Sequence, residues 1–134
     1  MPALDTNILV RWLVADEAVQ TAAVAAFLAD ARQRGELFYV PLTVVLELEW
    51  VLRSRYGFEK PSVMAALDGL LSAQDLELQQ ESAVELALWH YRPAGAPDFA
   101  DALHVALASQ AQRGPLVTLD RRAARLDGAW LLAM

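Results

Sequence analysis

The alternation of short apolar runs with longer helix-like stretches constrains this chain more than any other feature. Leu37-Phe38-Tyr39-Val40, Leu76-Glu77-Leu78-Gln79 and Leu116-Val117-Thr118-Leu119 read as strands, preceded by an apolar lead-in that ends at Leu4 and followed by a last strand around Trp130-Leu131-Leu132. Between them, helical patterns cover about residues 8–14, 17–33, 43–55, 60–72, 81–91 and 98–112, and a short helix runs through Leu126. Asp16 is the expected cap of the second helix and Gly35 its stop, while Thr43 opens the third and Gly57 ends it. Parallel neighbouring strands need helical crossovers, so the expected fold is α/β with a mostly parallel sheet covered on both faces.

At 134 residues, 56% apolar and 21% charged, the chain is expected to be a single domain over residues 1–134 with a full core. No window looks like a signal peptide and no apolar run approaches the ~18 residues of a membrane span, so a soluble, cytoplasmic protein without membrane contact is expected. Cysteine is absent, which removes disulfides, thiolate metal sites and thiol nucleophiles. Any metal falls to carboxylates, and these select hard ions such as Mg²⁺ or Mn²⁺. The net charge of −6 argues against a broad basic grip on nucleic acid, but an acidic metal site supplies several of those charges itself.

The acids fall at telling places. Asp5, followed by Thr6 and Asn7, leaves the first strand, and Asp120 leaves the fourth, so both point to the carboxyl rim where sites in such sheets lie. Each also has an ordinary reading as a cap or turn residue. Glu47 sits one turn into the third helix at the border of a core stripe of Val44, Leu48, Val51 and Leu52, with Val51 rather than a cation four residues ahead. Glu49, at the other border, has Arg53 at that spacing and reads as a surface pair.

Asp98 and Asp101 lie three apart at a helix start, where the dipole favours one acid but two repel. His104 continues that face and reads as a packed, hydrogen-bonded histidine near the core; His90 reads as packing. Carboxylates gathered at a sheet rim hold protons unless a divalent ion neutralises them, and acids without histidines or thiols point to phosphoryl transfer.

Leu4-Asp5-Thr6-Asn7-Ile8-Leu9, Leu46-Glu47, Asp98-Phe99-Ala100-Asp101-Ala102-Leu103-His104-Val105-Ala106 and Thr118-Leu119-Asp120-Arg121 together resemble a PIN domain, in particular the VapC-type toxin ribonucleases of toxin–antitoxin pairs. The resemblance spans nearly the whole chain. It implies a three-layer α/β/α sandwich with a central, mostly parallel sheet of about five strands. It also implies Mg²⁺- or Mn²⁺-dependent cleavage of RNA, a homodimer, and a small VapB-like antitoxin as partner. By position, Asp5, Glu47, Asp101 and Asp120 match the catalytic acids, with Asp98 as an additional metal acid. Thr6, Asn7 and Thr118 match the supporting polar positions. Arg11, Arg121, Arg122 and Arg125 are candidate RNA contacts, with a solvated helix face as the alternative. A structure-specific DNA nuclease and an inactive PIN-like scaffold are the competing functions. The first usually needs an arch or extra domains, and the second expects lost acids.

Overall fold

The computed structural model describes residues 1–133, and its internal contacts divide the chain into two compact units, Met1–Gln79 and Gln80–Met134.

The first unit runs α1 (Thr6–Leu13), α2 (Ala18–Gln33), β1 (Phe38–Val40), α3 (Leu42–Ser54), α4 (Lys60–Ser72) and β2 (Leu76–Leu78). β1 and β2 pair in parallel, Phe38 opposite Leu76 and Val40 opposite Leu78, with α3 and α4 as the crossover that parallel pairing requires. The expected first strand is a single parallel bridge between Ala3 and Tyr39, in which Tyr39 N–H donates to Pro2 and Leu4 N–H to Tyr39. It extends no further because Pro2 has no N–H and Asp5 already caps α1. Phe38, Val40, Leu9, Val45, Leu48, Leu52 and Val63 are fully buried and form the core of this unit.

Two helix starts differ from expectation. Glu17, not Asp16, caps α2 by accepting from Val19 and Gln20 N–H, while Asp16 is drawn away to Arg11 at 2.7 Å. α3 begins at Leu42 behind Pro41, a residue with no side chain able to cap. The Leu42 N–H donates instead to Gln79 Oε1 at 2.9 Å. Parallel pairing makes this possible: Gln79 follows β2 as Leu42 follows β1, and the Gln79 N–H donates to Val40 at 3.0 Å. Gly35, at φ +68°, turns the chain out of α2.

The second unit contains α5 (Glu81–Tyr91), α6 (Phe99–Gln110), β3 (Leu116–Thr118), a 3-10 turn (Ala123–Arg125) and β4 (Ala129–Leu131). Ala83, Ala87, Ala102 and Ala106 are fully buried, and small residues facing one another let α5 and α6 pack closely. The Tyr91 and Phe99 rings meet edge to face at 5.7 Å. β3 and β4 are parallel, with Val117 opposite Trp130. The run 116–119, read as an apolar strand of a sheet covered on both faces, is open: Val117 is 53% and Leu119 62% exposed. In a two-stranded ladder both strands are edges, and among the described residues no third strand pairs with them.

The fold is thus α/β and helix-rich with parallel strands. Among the described residues the strands are four, each three residues long, in two pairs. That is one strand fewer than expected, because the first is only a bridge. No single helix among the described residues is long and apolar enough to cross a membrane.

Candidate active site

In the first unit, α1 and α3 bring two of the predicted acids onto one threonine. Asp5 is exposed at the N-cap of α1 and its Oδ1 accepts from the Thr6 N–H at 2.7 Å. Thr6 is buried, and its hydroxyl donates to Glu47 Oε1. Thr6 therefore ties the Asp5 cap to Glu47, whose carboxylate is otherwise exposed and has no cation beside it on α3. Asn7 is exposed, and its amide makes no hydrogen bond among the described residues.

A cavity of about 330 Å³ opens beside this group, lined by Thr6, Asn7, Arg11, Glu47, Trp50 and Tyr56 among others. Arg11, a candidate RNA contact, is committed elsewhere. Its guanidinium donates to Gln20 at 2.6 Å, Asp16 at 2.7 Å and Tyr56 at 3.2 Å, and Tyr56 first, then Asp16, holds its pKa above the usual arginine value. A larger cavity of about 690 Å³ in the same unit is lined by Trp12, Leu37 and the Arg32–Asp75 ion pair. None of the predicted acids lines it.

In the second unit, Asp98 occupies the N-cap position of α6 yet makes no capping hydrogen bond, so helix capping does not explain it. Asp101 sits in the first turn of the same helix, half-buried. Burial, then the charges of Asp120 and Asp98, push its carboxyl above the usual range, against smaller opposing effects of His104 and Arg122. Three acids thus act on one another in this unit. Asp120 has a local duty as well: Oδ1 accepts from Arg122 N–H at 2.8 Å and Ala123 N–H at 3.1 Å, opening the 3-10 turn, while its own N–H donates to Thr118 Oγ1 at 3.0 Å.

Several expectations change here. His104 is exposed rather than packed near the core, because it lies on the solvent side of α6 with Asp101. Glu49, expected on the surface, is only 2% exposed, its carboxylate held by Arg53 at 2.8 Å. The i, i+4 pairing was legible but the burial was not, because Val45, fully buried outside the sequence stripe, carries the core further around α3. Arg122 spends one guanidinium nitrogen on the Ala96 carbonyl at 2.7 Å, whereas Arg121 and Arg125 are exposed. Sequence reasoning left Trp50 and Arg55 outside the site; their signal was the spacing Glu47, Trp50 on one helical face.

Every candidate donor here is a carboxylate, hydroxyl or amide oxygen, the chemistry of hard divalent ions. Within the second unit, the charge that Asp120 and Asp98 place on Asp101 is the kind that such an ion relieves. Among the described residues, no three acidic or histidine side chains stand as a ready-made coordination group.

Comparison with known proteins supplies the family. The PIN domain family matches residues 3–129. The chain is also similar to a VapC ribonuclease of Aquifex aeolicus (strain VF5), 24% identical over 91 residues that cover 68% of this chain and 67% of that protein. With nearly its whole length matched, the chain belongs to the PIN domain family.

Proposed function

We propose that this protein is a metal-dependent endoribonuclease, the toxin of a toxin–antitoxin pair, which hydrolyses phosphodiester bonds of single-stranded RNA. The observation that carries the reading is Asp98 at the head of α6 without a capping bond, with Asp101 in the first turn of the same helix under the charges of Asp120 and Asp98, in a chain of the PIN family. The similarity to a protein named VapC ribonuclease supports RNA as substrate.

The residues proposed to hold Mg²⁺ or Mn²⁺ are Asp5 and Glu47 in the first unit and Asp98, Asp101 and Asp120 in the second; a bound ion would supply an activated water and neutralise charge on the leaving oxygen. The chain's own contributions are local. The Thr6 hydroxyl fixes the Glu47 carboxylate, leaving its second oxygen for a ligand or water. The Arg122 and Ala123 amides hold the Asp120 carboxylate in the same way, while Thr118 Oγ1 accepts from the Asp120 backbone N–H. Water is the proposed nucleophile, with no covalent intermediate on a side chain. Arg121 is the exposed cation proposed to meet RNA phosphates.

The same reading gives a second copy and a small VapB-like antitoxin as protein partners and a cytoplasmic location. The half-exposed Trp12 and Leu37, at the larger cavity, offer such partners apolar surface. The test is cleavage of a labelled single-stranded RNA pool by the purified protein in Mg²⁺, Mn²⁺ or EDTA. Cleavage with either ion and none in EDTA is expected. Cleavage that persists in EDTA overturns the metal assignment, and cleavage of DNA alone overturns the substrate.

A further inference from the structure

We infer that the cavity beside Glu47 is a nucleobase-stacking subsite for single-stranded RNA, with Trp50 as its platform. The inference rests on the ribonuclease reading and deepens it. Trp50 follows Glu47 by three residues on α3, so the two project from neighbouring positions on one helical face. Its indole is 49% exposed, and the Arg55 guanidinium lies over the ring at 5.9 Å from the centroid. Trp50 and Arg55 both line the cavity, as do Thr6, Asn7 and Glu47. At about 330 Å³ it lies at the lower end of the range of small-ligand pockets.

Charge decides which part of a nucleotide belongs here. The Glu47 carboxylate repels phosphate from its end of the cavity, and Arg11, a cation that also lines it, is already held by Asp16, Gln20 and Tyr56. A base carries no charge, stacks on an indole or a guanidinium plane, and needs a donor–acceptor edge. The exposed, unpaired Asn7 amide supplies that edge. Arg55, at the open end of α3, is left to meet the flanking phosphate. In a chain of net charge −6, stacking supplies affinity that a basic surface does not.

The test compares wild type, Trp50→Phe, Trp50→Leu and Arg55→Gln in two assays on the full chain. One is fluorescence anisotropy of labelled octaadenylate in Ca²⁺, and the other is Mn²⁺-driven cleavage of single-stranded RNA. Trp50→Leu is expected to weaken octaadenylate binding about tenfold or more, while Trp50→Phe stays within about threefold of wild type. In cleavage, Trp50→Leu raises KM more than it lowers kcat, and Arg55→Gln shallows the salt dependence of binding. Thermal melting of Trp50→Leu close to wild type confirms that a surface residue was changed. Wild-type binding by Trp50→Leu with cleavage intact overturns the subsite and leaves the ribonuclease standing. Loss of self-association in Trp50→Leu with RNA binding unchanged overturns it in favour of a contact between copies. A wild-type protein that neither binds nor cuts RNA overturns both readings.

Discussion

The two units handle their carboxylates in opposite ways. In the first, a buried threonine stands between the acids: its N–H is taken by Asp5 and its hydroxyl by Glu47, so each carboxylate has a hydrogen-bond donor from the protein. In the second, Asp98 at the head of α6 receives no capping bond and Asp101 is burdened by both Asp120 and Asp98. The difference teaches where the chain stabilises its acids and where it leaves charge for something else to neutralise. Hydrogen bonds serve Asp5 and Glu47 in the first set and Asp120 in the second, whereas Asp98 and Asp101 are the carboxylates for which a cation is the proposed partner.

The largest effect expected from breaking this contrast is on catalysis. Asp101→Asn should lower metal-dependent RNA cleavage by a factor on the order of 10³ or more, since it removes a charged ligand while keeping the shape. Thr6→Val, close to isosteric, should cost less: about tenfold in cleavage as Glu47 loses its donor, and about 1 kcal/mol in urea unfolding. A Thr6→Val protein with wild-type rate and stability would mean that the threonine does not organise the first set.

Away from the site, Arg53→Ala leaves the Glu49 carboxylate, 2% exposed, without its ion-pair partner, and should cost about 1–3 kcal/mol in the same unfolding measurement. Gln79→Ala removes the side-chain acceptor at the start of α3 and should cost about 0.5–1 kcal/mol. Both losses should leave the pH dependence set by Asp101 untouched.

The smallest effect concerns protonation. Because the folded-state pKa of Asp101 is raised, its carboxyl binds its proton more tightly in the folded chain than in the unfolded one. Stability is therefore lost as pH rises from the ordinary aspartate range through the raised value, and the cost persists at neutral pH. Asp101→Asn removes that cost, so in EDTA its melting temperature should exceed wild type by about 1–3 °C at pH 7 and show no such gain at pH 3. A gain of equal size at both pH values would attribute the effect to something other than charge.

Much of this was legible in the sequence, for reasons that particular residues make plain. The helices at 60–72 and 81–91 are found at the bounds that their helical patterning gave. The acids could be picked out because strand ends and helix starts mark the rim of a parallel sheet. What was not legible depended on contacts distant in sequence. The cap of α3 comes from Gln79, which no local pattern connects to Leu42. Thr6 and Glu47 are 41 residues apart, so their bond is visible only in three dimensions. Glu49 and His104 exchanged their expected environments because a one-residue rotation of a helical stripe decides between core and solvent.

The most direct experiment places one substitution in each unit, Asp5→Asn and Asp101→Asn, and measures RNA cleavage with Mn²⁺ and in EDTA beside wild type, with circular dichroism to confirm folding. Wild type should cut only with the ion, and both folded variants should fall to the EDTA background. Wild-type cleavage retained by either variant would contradict the assignment of these carboxylates to a metal-dependent ribonuclease.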